Sequence, residues 1–321
     1  MKKILLTTTA LTLLAGAAAA DVNVGVTARM GVRSDSATVA GPLGAASGST
    51  TFNRMRINVT ASGETDGGLT FGAFARIQSG QGYRMALTGV MNGSNVWISN
   101  GMMTLTVGNT SGAVGNTSGV YGVGGCGFSP DVDYLEYCAN VIGRANTFPS
   151  YSSGGAGPNV VRLDFSLGSA TVSLSRNQSA AVGVANNEVA VSFALGSATI
   201  GIGYDDGNIV GASSLGGTYV NATMDLGSAN VGLSYVQYNG VGAGTSWLVK
   251  ASMGLGSGRV GVFAANDSDT GMTVDERNRY GLNYSQSLGG GATAIIALTN
   301  VAAWGANPAT TIVTAGMTLG F

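Results

Sequence analysis

Apolar and polar residues alternate strictly over residues 22–33. Val22, Val24, Val26, Ala28, Met30 and Val32 fall on one side of an extended chain; Asn23, Gly25, Thr27, Arg29, Gly31 and Arg33 fall on the other. Successive side chains of a strand point to opposite faces, so the pattern predicts a strand with one apolar and one polar face. A run of about twelve residues is long for a soluble strand and suits a tilted crossing of a bilayer. The last segment repeats the arrangement, with Val313, Ala315, Met317, Leu319 and Phe321 set against Thr314, Gly316, Thr318 and Gly320.

Between these ends a Leu-Gly-Ser/Gly core recurs at Leu167, Leu195, Leu226, Leu255 and Leu288, at intervals of 28, 31, 29 and 33 residues by subtraction. Alternating segments flank each core. Glycine allows the positive φ of a tight hairpin, so each core predicts a short turn between antiparallel strands. Residues 64–68 and Asn100-Gly101 read as two further turns, while the other connections are longer and polar, such as 205–217 and 267–276. Short turns at one end and long loops at the other are the layout of transmembrane barrels. The strands expected are 22–33, 52–63, 69–79, 94–99, 102–109, 159–167, 170–177, 187–195, 198–205, 217–226, 229–238, 245–255, 259–266, 277–287, 291–299 and 309–321. That is a closed antiparallel barrel of about 16 strands, with both chain ends on one side. Residues 80–93 contain RMALTGV, which also reads as strand.

Composition agrees. Charged residues make up 10% of the chain, against about 25% in soluble domains, and Gly accounts for 53 of 321 residues. The first 20 residues carry Lys2 and Lys3, an apolar run from Ile4 to Gly16, and Ala18 and Ala20 before a polar start at Asp21. They are expected to be a cleaved secretory signal, leaving 21–321 as the barrel. Without Lys2 and Lys3, 13 basic residues (15 less two) face 16 acidic ones, a net charge of −3 that offers nucleic acid no attraction. The chain has no His, which excludes Ser-His-Asp and Cys-His chemistry; no enzyme activity is expected. A soluble sandwich or a solenoid would also alternate. The polar faces, however, hold Arg, Asn, Thr and Gly rather than the Lys/Glu mix of a solvated surface. In lipid only a closed sheet satisfies every backbone group.

The segments ARMGVRSD, RINVTASGETDGGLTFGAFARI, NVWISNGMMTLTVGN and YGLNYSQSLGGGATAIIAL, in this order, resemble the alphaproteobacterial general-diffusion porins. The resemblance extends over essentially all of 21–321. It implies a homotrimer in outer-membrane lipid, passive passage of small polar solutes and ions, and a long third loop folded into the pore. A substrate-specific channel with a saturable site and a non-conducting structural barrel are the alternative readings.

Phasing the strands assigns Arg29, Arg33, Arg54, Arg56, Arg76, Lys250 and Arg279 to the lumen, because a charge on the lipid face near the midplane costs about 2–4 kcal/mol. The stretch of about 110–158 lacks strand periodicity and carries Asp131, Asp133 and Glu136. Folded inward, its acids would oppose the arginines and set a transverse field across a constriction. Cys126 and Cys138, the only cysteines, lie in the same stretch and are expected to form a disulfide in an exported chain. No cofactor is expected. Asp205, Asp206, Asp267, Asp269, Asp275 and Glu276 fall in expected outer loops, where carboxylates either hold Ca²⁺ or are simply solvated.

Overall fold

The computed structural model describes residues 20–41, 44–81, 86–117, 151–153, 155–179, 184–207, 216–239, 244–268, 277–303 and 308–321. Its strands are β1 (Asp21–Gly41), β2 (Gly44–Glu64), β3 (Thr70–Gln81), β4 (Ala86–Met91), β5 (Asn95–Ser99), β6 (Met103–Gly108), β7 (Val160–Leu167), β8 (Ala170–Ser179), β9 (Val184–Leu195), β10 (Ala198–Asp205), β11 (Gly217–Asp225), β12 (Ala229–Tyr238), β13 (Thr245–Leu255), β14 (Gly258–Asp267), β15 (Arg277–Gly289), β16 (Ala292–Val301) and β17 (Thr310–Gly320). One short helix, α1 (Ala113–Asn116), follows β6. All strands belong to one antiparallel sheet, and β1 closes it against β17 in a register running from Thr27 opposite Gly320 to Asp35 opposite Ile312. Closure pairs the first strand with the last and removes the two edges that an open sheet would turn to lipid.

The seventeen segments make sixteen staves. The lower part of β3 pairs with β5, from Thr70 opposite Ser99 to Phe74 opposite Asn95, and its upper part pairs with β4. β4 and β5 are therefore one stave broken at Asn92-Gly93-Ser94. The ALTGV part of the RMALTGV segment, within β4, supplies the upper half of that stave and adds no new one. Two other boundaries differ from the sequence reading. β1 and β2 pair as far as Gly41 opposite Gly44, well past the expected limits at 33 and 52. The stretch between those limits is rich in Ser, Ala and Gly, so its strand character leaves no alternation to read.

Every Leu-Gly-Ser core forms a tight turn, as at 168–169 and 196–197, where Gly168 and Gly196 take φ of +69° and +60°. L-residues with a Cβ seldom adopt that region, so glycine is what makes a two-residue hairpin possible here. Outward side chains such as Met30, Leu233, Val249, Leu282 and Leu298 are exposed and apolar, whereas their inward neighbours are largely buried in the barrel interior. Tyr235, Trp247, Tyr280 and Phe321 are also exposed. Val249 is near the middle of β13. Replacing it with Arg should destabilise the folded barrel by about 2–4 kcal/mol, read as a lower midpoint in urea-driven unfolding from lipid vesicles. The same change at Asn239, just beyond β12, should cost far less.

Candidate functional site

Two groups of inward side chains hold the described ends of the loop between β6 and β7. The first is basic and sits on β1–β3. Arg29 and Arg33 are buried on the inner face of β1, and Arg33 pairs with Asp35 at 2.8 Å. Arg54 stands directly opposite Arg29 in the β1–β2 register, and Arg56 stands opposite Thr27. Arg56 donates from Nε to Gln78 Oε1. Arg76 donates from Nε to Asn58 Oδ1 and from its terminal nitrogen to Ser153 Oγ, both at 2.7 Å. Its guanidinium carbon is 4.9 Å from the centre of the Tyr151 ring and 5.6 Å from that of Phe74. Those two rings meet edge-on at 5.4 Å, so Arg76 is held in an aromatic cleft and in turn holds the returning end of the loop.

The second group is a row on β7–β10. The register sets Arg162 opposite Ser175, Ser175 opposite Glu188, and Glu188 opposite Asp205, all on the inner face and all buried. The outgoing end of the loop rests on this row. Arg162 donates to Ser111 O at 2.6 Å and Thr110 Oγ1 at 3.1 Å, and its Nε pairs with Asp164 at 2.9 Å. Ala113 N donates to Ser175 Oγ at 2.7 Å, and Val114 N donates to Glu188 Oε2 at 2.8 Å. The first turn of a helix has backbone N–H groups with no partner inside it, and here wall side chains satisfy them. The approach is close: a Cβ on Gly112 would collide with the Glu188 carboxylate, and one on Gly203 would sit 2.9 Å from Val114 Cγ2.

Asn109 ties the two ends together. It is 2% exposed, and its Nδ2 donates at 2.9 Å to both Gly93 O and Ser152 O. Its Oδ1 accepts from Ser152 N at 2.9 Å. The break in the β4–β5 stave serves the same junction, since Gly93 N donates to Gly155 O and Asn109 N to Ser94 O. The loop thus leaves the wall, and returns to it, at one clasp.

Elsewhere on the inner face, Lys250 is set opposite Gly232 and Phe263, Arg279 is buried on β15, and Arg259 donates to Ser252 Oγ at 3.0 Å. Cys126, Cys138, Asp131, Asp133 and Glu136 lie outside the described residues, as do Asp269, Asp275 and Glu276. The loop reading of Asp205 and Asp267 requires correction. Asp205 ends β10, is fully buried and accepts from Asn186 and Gly207, and Asp267 ends β14. β10 ends at its expected limit and β14 runs one residue past its own, and at the end of β10 the Asp205 side chain is held inside the barrel and not in a solvated loop. Asn109, Arg162, Ser175 and Glu188 were not foreseen. Glu188 is the lone acid of its strand, on the same face as Asn186 and Ser192, and that was the one available signal.

A continuous antiparallel wall, apolar outside and charged inside, with a loop clasped into its interior, defines a membrane-spanning channel. The family model described as Gram-negative porin matches residues 7–302. The chain belongs to that family: it sits in the outer membrane and passes small hydrophilic solutes and ions by diffusion. Among solved structures, a multiply substituted mutant of the Rhodopseudomonas blastica porin is similar with a TM-score of 0.74 at 18% identity, covering 94% of this chain and all (100%) of that one. A triple mutant of the same porin gives 0.72 at 19% identity, again with 94% and 100% covered. A structure titled "Asymmetric conductivity of engineered proteins" gives 0.74 at 18% identity with the same coverage. No curated protein matches the sequence.

Proposed function

We propose that passage through this porin is limited by a constriction formed where the loop between β6 and β7 crosses the barrel, with Arg29, Arg54 and Arg56 lining one side of the path. The observation that carries the reading is α1: its first amides bond to Ser175 and Glu188 on the inner face of β8 and β9, so the loop enters the interior at its first turn. The acids Asp131, Asp133 and Glu136 further along that loop then oppose the arginines, and Lys250 and Arg279 extend the basic lining around the barrel. A field across the narrowest point orients polar solutes and disfavours apolar ones, which must displace ordered water. Cys126 and Cys138 bridge the loop, residues 1–20 are removed on export, and three copies assemble through their apolar outer faces. Porin family membership supports the trimer.

The test is single-channel recording of the purified mature protein in a planar bilayer. Current should rise in triplet steps, vary linearly with voltage and not saturate with salt. Solute entry into proteoliposomes, followed by swelling, should fall steeply with solute size. Saturation or block by one solute class would instead identify a substrate-specific channel. Intact mass before and after reduction reads the disulfide directly: a gain of two hydrogens is expected, and no gain would remove it.

A further inference from the structure

Glu188 and Asp205 form an acid pair that the passage of solutes does not use. They stand directly opposite each other in the β9–β10 register, on the inner face, and are 4% and 0% exposed. Their carboxyl groups are in hydrogen-bond contact with each other. Glu188 Oε2 accepts from Val114 N and Ser175 Oγ, whereas Oε1 is buried and receives no amide or hydroxyl. Asp205 is better supplied: Oδ2 accepts from Asn186 Nδ2 at 2.9 Å and Oδ1 from Gly207 N at 2.8 Å.

Among the described residues no cation is directed at this pair. On β8, Ser175 is the inward neighbour of Glu188, and Arg176 is exposed and donates to Asn187 Oδ1. Arg162 lies one strand further, on β7, and pairs with Asp164 at 2.9 Å. On the other side Gly217 of β11 stands opposite Asp205, and the inward titratable groups beyond it are Tyr219 and, on β12, Tyr238. α1 brings two amides and no charged side chain. Asp206, next along the chain, adds a third acid, bonded to Asn187. Two ionised carboxylates so placed would oppose like charges across a strand pair, away from water. One proton removes that opposition. Carried by Glu188, it is donated to the facing carboxylate and leaves Oε2 an acceptor for Val114 N. In such a pair the proton belongs to both acids.

We propose that Glu188 and Asp205 share a single proton that keeps α1 seated on the wall, and that its loss at alkaline pH releases the first turn of the β6–β7 loop. With the proton gone, the two charges repel, and Glu188 turns away and takes the acceptor of Val114 N with it. Any effect on conductance rests on the constriction proposed above, and the test keeps the two apart. Infrared difference spectra of the barrel in lipid should show the carbonyl stretch of a protonated carboxyl at neutral pH. That band should vanish on alkaline titration and be missing in Glu188→Gln. Hydrogen exchange at Ala113 and Val114 is read as a ratio to Glu188→Gln at the same pH, which cancels the intrinsic dependence. The ratio should rise at least about tenfold between about pH 6 and about pH 9. Asp225→Asn, at the turn end, should keep both responses, and a chelator of divalent cations should change neither. A native spectrum without a band that Glu188→Gln removes, or an exchange ratio that stays flat, overturns the proposal. So does a chelator that loosens α1 at neutral pH, which puts a divalent cation in the proton's place. If band and exchange respond while conductance does not follow, the shared proton stands and the constriction reading falls.

Discussion

Replacing Asn109 with Ala should leave the barrel folded and give a channel of larger conductance with noisier open states. Its amide makes three bonds that join the outgoing end of the β6–β7 loop, the returning end and the break in the β4–β5 stave. None of the three belongs to the wall ladder, so the sheet loses nothing when they go. The loop loses its clasp, and Gly93 O, Ser152 O and Ser152 N each lose a bond at a half-buried site. Losing such bonds costs up to about 3 kcal/mol. At about 3 kcal/mol the ratio of seated to loosened loop falls roughly a hundredfold. Single-channel recording reads the loosened state as added noise, and hydrogen exchange should show faster exchange at the Ser152 amide. Asn109→Asp is the sharper variant. It keeps the acceptor for Ser152 N but turns a carboxylate toward two carbonyl oxygens, so it should be at least as damaging as Ala. A quiet channel of unchanged conductance in both variants would mean that the clasp does not hold the loop.

The same comparison separates what the sequence made legible from what it did not. The staves were legible because lipid outside and polar groups inside impose a period of two, and tight turns demand glycine at fixed places. Residues 34–41 and 44–51 escape the periodicity because a strand standing beyond its outer neighbours is under no such demand, and Ser, Ala and Gly suit either face. β4 was ambiguous for a related reason: the stave it belongs to is broken at Gly93, and a broken stave looks like a loop in the sequence. The inward positions of the arginines followed from phase alone, yet phase says nothing about partners. Arg76 and Arg54 look alike in sequence, but one is packed between two rings and bonded to the loop, while the other stands across from Arg29. Asn109 and Glu188 looked like ordinary polar-face residues. Their roles depend on which loop atoms come to rest beside them, a long-range contact that local periodicity does not encode.

Glu188 offers a test with two opposed outcomes from one position. Its carboxylate accepts from Val114 N at 2.8 Å and from Ser175 Oγ at 3.2 Å, and Ser175 in turn accepts from Ala113 N. One side chain therefore sustains both amides at the start of α1. Glu188→Ala leaves Val114 N without its acceptor in a buried place and frees the Ser175 hydroxyl to turn away. The expected loss is about 2–3 kcal/mol of loop seating, again visible as raised conductance and noise. Glu188→Gln should behave quite differently. The amide oxygen still accepts from Val114 N, and the new NH₂ group can donate to Asp205, which the register sets directly opposite. An acid facing an acid becomes an amide facing an acid, which removes a like-charge opposition while keeping the shape of the clasp. Gln should therefore hold the loop at least as firmly as the native residue, with wild-type conductance and equal or greater resistance of the loop to protease. If Gln and Ala disturb the channel equally, the seat of α1 depends on charge at position 188 and not on the hydrogen bonds that geometry displays. If neither disturbs it, the loop is held without the Glu188 seat, by Arg162, Arg76 and Asn109.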